Sequence, residues 1–254
     1  MKVSVIIPVY NEEEYIEECL KSVLNQTQPA DEIIVIDNNS TDKTPEILKK
    51  FPQVRVINEK KQGMIPARNK GFDSAKGDII ARTDADTRVP KNWIKRIKKH
   101  FEDKDLMALS GPAQFYGLIS NVEKLPMTVY FRTFKQVLHH DCLFGPNISL
   151  RKSMWGKIKK EVCLDDHEVH EDVDLAIHIA KYGKVLFDYK LIVSSSPRRW
   201  KKLTPYLEYP YRYLKTIQKH REAVLSLKNG RRLVNSVVPR TKHLLKRMSA
   251  SLTS

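Results

Sequence analysis

The chain has 254 residues, 41% of them hydrophobic, with nine glycines and a formal net charge of +15. That length and apolar content exclude a disordered or fibrous protein and allow one large α/β core or two small domains. No apolar run approaches the ~20 residues of a membrane-spanning helix, and Met1 leads into a strand-like stretch rather than a signal peptide. Cys19, Cys142 and Cys163 are far apart and form no CxxC pair, which argues against a zinc site or a disulfide framework and suits a reducing cytosol.

In chain order, VSVIIPVY (3–10) is a near-continuous apolar run of strand length. The next sixteen residues place Tyr15, Ile16, Cys19, Leu20, Val23 and Leu24 at helical spacing. DEIIVIDNNSTD (31–42) repeats the strand, TPEILKKF (44–51) predicts a short helix, and VRVINE (54–59) a third strand. GMIPARNKGFDSAKGD (63–78) reads as a loop and helix ending near Gly77, before a fourth strand in DIIARTD (78–84). PKNWIKRIKKHF (90–101) predicts a helix with Pro90 at its start. LMALSGPAQFYG (106–117) is a candidate strand, 117–143 a helical or irregular insertion, and FGPNISLRKSMW (144–155) strand again. HEDVDLAIHIAKYG (170–183) reads as a helix with acids in its first turn, Lys181 in its last and Gly183 at the cap position. KVLFD and LIVSSS close the series.

Short apolar strands alternating with helices predict an α/β fold with a mostly parallel sheet covered on both faces. Ligands of such sheets sit at the carboxyl ends of the strands, where Asn11, Asp37, Asp84 and Asp86 all fall. Hard cations such as Mg²⁺ and Mn²⁺ take carboxylate oxygens and complete their shells with water and phosphate. Asp84-Ala85-Asp86 therefore suits a metal that holds a nucleoside diphosphate, although an isolated DxD also serves as a pair of turn or capping aspartates.

IIPVYNEEEYIEECLKSVLNQT, EIIVIDNNSTDKT, GMIPARNKGFDSAKGDIIARTDAD, GPNISLRKSMW and HEDVDLAIHIAKYG together resemble, in order and spacing, the family 2 glycosyltransferases of GT-A (Rossmann-like) fold, over roughly residues 1–195. The resemblance implies a nucleotide-sugar donor, such as a UDP- or GDP-sugar, and a divalent metal, Mn²⁺ or Mg²⁺. By the same resemblance Pro8, Val9, Tyr10 and Glu12 shape the nucleotide pocket, Asp37 meets the base, Asn39 and Ser40 share its loop, and Arg68 lies near the nucleotide. This chain reads DNNS where many members read DDGS. Asp84 is implied to contact ribose or a metal-bound water, Ala85 to lie between the two acids in the donor site, and Asp86 to ligate the metal. Asp172, with Glu171 beside it, is implied to be the base of an inverting transfer. Both acids would also complement a helix dipole. A helix N-terminus favours an ionised carboxylate, so Asp172 is expected to be charged at neutral pH and only weakly basic.

SSSPRRWKK (194–202) faintly resembles the arginine–tryptophan motif of some members, with Ser196 where Gln stands in them. Arg198 and Arg199 are accordingly expected near the donor diphosphate, and a processive polymerase is not. Asp165, Asp166, His167 and His170 offer a His-x-x-His with nearby acids, but no further ligand pair, and read as an acceptor-side loop. Residues 117–143 and 160–170 are expected to shape the acceptor site. The expected organisation is a catalytic domain at 1–197, with a nucleotide-sugar half (1–115) and an acceptor and base half (116–197), followed by an extension at 198–254.

That extension holds fifteen of the forty-five Lys and Arg against Glu208 and Glu222, a charge of +13, leaving +2 for residues 1–197. YLEYPYRYLKTIQKH mixes aromatic and basic residues, and Leu233, Val234, Val237, Val238, Leu244, Leu245 and Met248 supply apolar stripes broken by Pro239. Such a tail suits the face of an anionic bilayer, or it packs on the catalytic domain. The first reading predicts a cytoplasmic enzyme, peripheral on the inner face of the cell membrane, acting on a lipid-linked or cell-surface glycan. Nucleic-acid binding would explain the tail but leaves Asp84, Asp86, Glu171 and Asp172 without a purpose, so no nucleic acid is expected. A sugar nucleotidyltransferase would want a glycine-rich loop near the first strand, and PVYNEEE contains no glycine.

Overall fold

The structure is a computed structural model; it describes residues 1–116, 131–133, 135–165, 168–198 and 204–226. Most of the 117–143 insertion, Asp166, His167, Arg199 and the stripes beyond residue 226 lie outside the described residues.

The first half alternates as expected: β1 (Val3–Val9), α1 (Ile16–Leu24), β2 (Glu32–Asp37), α2 (Thr44–Leu48), β3 (Arg55–Asn58), α3 (Met64–Ser74) and β4 (Ile79–Arg82). Then come β5 (Thr87–Arg88), α4 (Trp93–His100), β6 (Leu106–Ser110), β7 (Ala113–Phe115), a 3-10 turn (Gly145–Asn147), β8 (Ile148–Arg151) and α5 (Lys152–Ile158). The chain continues through α6 (Glu171–Ala180), β9 (Lys184–Phe187), β10 (Val193–Ser195), α7 (Thr204–Lys219) and α8 (Arg221–Ser226).

Seven strands form one sheet in the order β3-β2-β1-β4-β8-β6-β9, with β8 antiparallel to both its neighbours and every other pairing parallel. Strand alternation sends successive side chains to opposite faces. Val3, Val5, Ile7 and Val9 of β1 pack with Leu20, Trp93 and Ile97 of α1 and α4, while Ile6 packs with Phe72, Trp155 and Leu175 of α3, α5 and α6. The absence of polar alternation in β1 and β2 follows from this, since both faces are covered. α3 comes close because position 71 is glycine: a Cβ there would sit 2.2 Å from Ile6 Cγ2.

Three expectations need correction. LMALSGPAQFYG is not one strand: it divides at Gly111-Pro112, β6 joining the large sheet and β7 a small sheet ordered β5-β10-β7. A Cβ on Gly111 would lie 2.2 Å from the Leu191 carbonyl, so the chain threads a gap only glycine fits. FGPNISLRKSMW is strand only over Ile148–Arg151 and turns helical on both sides. Gly183 does not cap α6, which is capped at Lys181; it is needed because a Cβ would meet Met107 Cγ at 2.5 Å.

α7 lies against the domain. Tyr213 and Ile217 are buried in a third cluster with Phe131, Val173, Ile177 and Phe187, and Val224 of α8 joins them. No helix among the described residues is long and apolar enough to cross a membrane.

Candidate active site

Thr83 N–H donates to the Ile6 carbonyl at 3.1 Å, and Thr87 N–H closes a turn on the Asp84 carbonyl at 3.1 Å. Ala85 is buried in the core beneath that turn, while Asp84 and Asp86 stay half-buried above it. Asp86 is held by the small sheet: Tyr116 O–H and Ser196 N–H both donate to its carbonyl, and Ser195 Oγ lies 3.4 Å from Oδ1.

Arg198 brings β1 and β4 together. Its Nε donates to Asp86 Oδ2 at 3.2 Å, its Nη2 to Glu12 Oε1, and its guanidinium lies 4.7 Å from the centroid of the Tyr15 ring. Burial pushes the Glu12 carboxyl up to about 6; Arg198 opposes the rise, and the charges of Asp86 and Asp84 add to it. Glu12 Oε2 is buried without a hydrogen-bond partner. Glu12 and Asp86 thus meet across one guanidinium at the ends of β1 and β4, with the charge of Asp84 felt at Glu12; hard carboxylate oxygens of this kind suit Mg²⁺ or Mn²⁺.

The loop after β2 forms the neighbouring wall. Asp37 is buried and its Oδ1 accepts the Ser40 N–H at 3.0 Å, while Ser40 Oγ accepts the Asn11 N–H at 3.0 Å. Asn11 and Asn39 have positive φ, 53° and 65°, which asparagine tolerates better than most residues. Asn38, which sequence reasoning passed over, pins the opposite loop by donating to the carbonyls of Glu59 and Lys61 and accepting from Gly63 N–H, each at 2.8 Å. The Asn in DNNS is thus a loop clamp. Pro8 and Val9 are buried in the sheet, whereas Tyr10 is exposed and Glu12 half-buried.

On the other side of Asp84 stands a buried ion network. Arg82 Nη2 donates to Asp84 Oδ1 at 3.1 Å and Nη1 to Glu171 Oε1 at 2.7 Å, with Asp172 Oδ1 at 3.6 Å. Arg68 Nη1 donates to Glu171 Oε2 at 3.0 Å, so this fully buried arginine is committed to Glu171. Asp172 Oδ2 accepts the Gly145 N–H at 2.8 Å, and Oδ1 is buried without a hydrogen bond. A Cβ at Gly145 would sit 3.1 Å from Asp172 Oδ2 and 3.3 Å from Arg82 Nη2, so glycine lets the backbone approach this closely.

The two adjacent acids are driven apart. Burial acts to raise Glu171, yet the charges of Arg82 and Arg68 win and hold it below the usual carboxylate range. Asp172 is pushed up to about 7 by burial and by the charge of Glu171, against Arg82 and the Gly145 N–H. This corrects the expectation of a weakly basic Asp172: desolvation outweighs the helix terminus. Sequence reasoning also missed Arg82, because IIAR reads only as strand; its role follows from the Arg82–Ile148 register of β4 with β8, which brings residue 145 alongside.

A mostly parallel sheet ending in these acids, covered by helices and flanked by a small second sheet, defines a GT-A fold, and solved glycosyltransferases share it. The mannosyltransferase PcManGT from Pyrobaculum calidifontis, in complex with GDP-Man and Mn²⁺, aligns with a TM-score of 0.69 at 20% identity, covering 99% of this chain and 80% of that one. TarS 1–349 of S. aureus, in complex with UDP-GlcNAc, aligns with a TM-score of 0.66 at 19% identity, over 89% of this chain and 67% of that one. The sequence profile of glycosyl transferase family 2 matches residues 4–153, and the chain belongs to that family. Among curated relatives, glycosyltransferase AglE of Haloferax volcanii is 42% identical over 101 residues, 37% of this chain and 33% of that protein. Glycosyltransferase GlyG of Streptococcus pneumoniae serotype 4 is 37% identical over 114 residues, 43% of this chain and 38% of that protein. The matched stretch thus spans about a third of these relatives' length.

Proposed function

We propose that the protein is an inverting hexosyltransferase that moves a sugar from a nucleoside-diphosphate sugar to an acceptor hydroxyl. The observation that carries this reading is Asp172: a buried carboxylate raised to about 7, with one oxygen held by Gly145 N–H, the other without a hydrogen bond, and Arg82 linking its surroundings to Asp84. A general base works best with a pKa near the operating pH.

Asp172 Oδ1 takes the proton of the acceptor hydroxyl as the acceptor oxygen bonds to the anomeric carbon. The bond from that carbon to the diphosphate oxygen breaks on the opposite face, so the configuration inverts and the electron pair leaves with the nucleoside diphosphate. Glu171, kept ionised by Arg68 and Arg82, stays out of proton transfer and fixes the arginine that borders the base. Asp86 and Asp84 would hold the divalent cation, with Glu12 adjacent, and when bound it would supply Lewis-acid neutralisation of the departing diphosphate. Arg198 would take diphosphate oxygens once it leaves the carboxylates, and Tyr10, Asp37, Asn39 and Ser40 would form the wall for the nucleoside. The hard-oxygen donor set supports Mn²⁺ or Mg²⁺, and the GDP-Man and UDP-GlcNAc held by the two solved relatives support a GDP- or UDP-sugar.

We assign residues 1–115 to donor binding and 116–197 to the acceptor and base. A lipid-linked or cell-surface glycan, met at the inner face of the cell membrane, is the acceptor class that the +13 of residues 198–254 supports. The test is a nucleotide-release assay over UDP-, GDP- and dTDP-sugars with Mn²⁺ or Mg²⁺, comparing wild type with Asp86→Ala and Asp172→Asn. One donor turned over in a metal-dependent way, with loss in both variants, supports the reading; no binding of any of these donors overturns it.

A further inference from the structure

A second cluster of ligating side chains lies on α6 away from the cleft. Two residues along a helix turn through about 200°, so Asp174 faces away from Asp172. Asp174 Oδ1 lies 2.7 Å from His220 Nε2, at the end of α7, and 3.7 Å from His178 Nε2 on α6. The three ligand atoms are all within 4.8 Å of one another. The imidazoles stand edge to face, 4.9 Å between centroids and 89° between planes.

His178 makes this more than a polar cluster. The residue is 4% exposed, and its Nε2 is buried with no hydrogen-bond partner. Its Nδ1 lies 3.2 Å from Glu161 Oε2, a carboxylate that can take the N–H of a histidine whose Nε2 holds a metal. Nε2 faces the Asp174 carboxylate at 3.7 Å, beyond hydrogen-bond distance, so its bonding capacity is unused. Asp174 Oδ2 accepts the Cys163 N–H at 2.9 Å, which leaves Oδ1 toward the two imidazoles. Lys181, 3.2 Å from His178 Nδ1, brings a positive charge that Glu161 offsets at 3.4 Å.

We propose that Asp174 Oδ1, His178 Nε2 and His220 Nε2 bind a divalent transition metal of the zinc class, with water in the fourth position. Two ligand atoms about 2.1 Å from a tetrahedral metal are about 3.4 Å apart, and the observed 2.7 and 3.7 Å bracket that spacing. Two imidazoles and one carboxylate suit zinc and cobalt, whereas the all-oxygen set at Asp84 and Asp86 suits magnesium and manganese. His220 also lines a surface depression with Lys181, Gln218, Lys219, Arg221 and Glu222, which opens its side of the cluster to solvent. The bound metal staples the end of α7 to the helix whose first turn carries Asp172. Sequence reasoning missed it because the ligands are spaced by four and forty-two residues, which matches no compact motif.

The test uses chelator-stripped full-length protein, titrated with Co²⁺ and followed by the visible absorption of four-coordinate cobalt and by thermal unfolding. Wild type and Asp86→Asn should each show one equivalent of four-coordinate Co²⁺ and melt at a higher temperature. His220→Gln, at a partly exposed position, should lose that absorption, and Glu161→Gln should weaken affinity by about 10- to 100-fold. Melting of both variants in chelator at the wild-type temperature separates metal loss from misfolding. The proposal is overturned if wild type takes up no four-coordinate Co²⁺, if the signal disappears in Asp86→Asn, or if neither variant changes the affinity. These readouts do not depend on sugar transfer, so their failure is distinct from failure of the proposed activity.

Discussion

Arg82 Nη1 lies 2.7 Å from Glu171 Oε1, across 89 residues of sequence, while Nη2 of the same guanidinium holds Asp84 at 3.1 Å. One buried side chain thereby joins the acid at the end of β4 to the pair at the start of α6. Planar guanidinium has the fork needed for two partners, and lysine does not.

Arg82→Lys should therefore lower kcat/KM by about 10- to 100-fold, the value of a charge-assisted hydrogen bond of roughly 1.5–3 kcal/mol. Arg82→Met, which leaves Glu171 and Asp172 buried with less compensation, should destabilise the fold by about 3–5 kcal/mol. Urea unfolding of both variants checks the second figure, and wild-type stability in Arg82→Met would refute the network.

The pH dependence follows from Asp172. With its carboxyl at about 7 in the fold, kcat/KM should rise with pH through a limb near neutrality, as the base must be ionised to accept a proton. Stability should move oppositely. The folded pKa lies above the unfolded one, so the folded state holds the extra proton between them; this contribution is full below about 3.9 and is lost as pH rises through about 7. Asp172→Asn should cost about 10²- to 10⁴-fold in rate yet flatten the fall in stability over that window. Paired pH–rate and pH–melting profiles decide it; a rate limb near pH 4 would leave Asp172 without its proposed role.

Gly145 provides a backbone test of the same contact. Gly145→Ala puts a methyl 3.1 Å from Asp172 Oδ2 and 3.3 Å from Arg82 Nη2, and overpacking of this kind costs about 1–3 kcal/mol. We expect a clear drop in kcat with the donor KM nearly unchanged, because the methyl displaces the base and not the residues assigned to the diphosphate. Equal change in both constants would mean that the strain spreads through the whole cleft.

The parts of this molecule legible in the sequence are those set by local pattern. Apolar runs and helical spacing fix β1 to β4 and the helices between them, and the turn after β4 places Asp84 and Asp86. What was not legible depends on contacts between distant segments. A carboxylate in the first turn of a helix reads as ionised until β8 and the 145 turn are known to cover it. Arg82 reads as an odd charge in a strand until its acidic partners arrive from residue 171. Gly111 reads as part of one strand until the Leu191 carbonyl is seen against it. Ser195 and Ser196 read only as the end of a closing strand, and nothing in that pattern tells that β10 brings them beside Asp86.

Arg198 allows one variant to give two effects of opposite sign. Its guanidinium contacts Asp86 and Glu12, the carboxylates assigned to the cation, and we propose that it grips the diphosphate instead when donor binds. Removing it strips the positive charge that competes for those carboxylates, so Arg198→Ala should bind Mn²⁺ more tightly in the absence of donor. It also removes a charge-assisted contact of about 1.5–3 kcal/mol to phosphate, so the donor KM should rise by about 10- to 100-fold. Paramagnetic titration of Mn²⁺ and initial-rate kinetics measure the two quantities independently. Weaker Mn²⁺ binding together with an unchanged KM would show that Arg198 only braces the carboxylates and never takes the diphosphate.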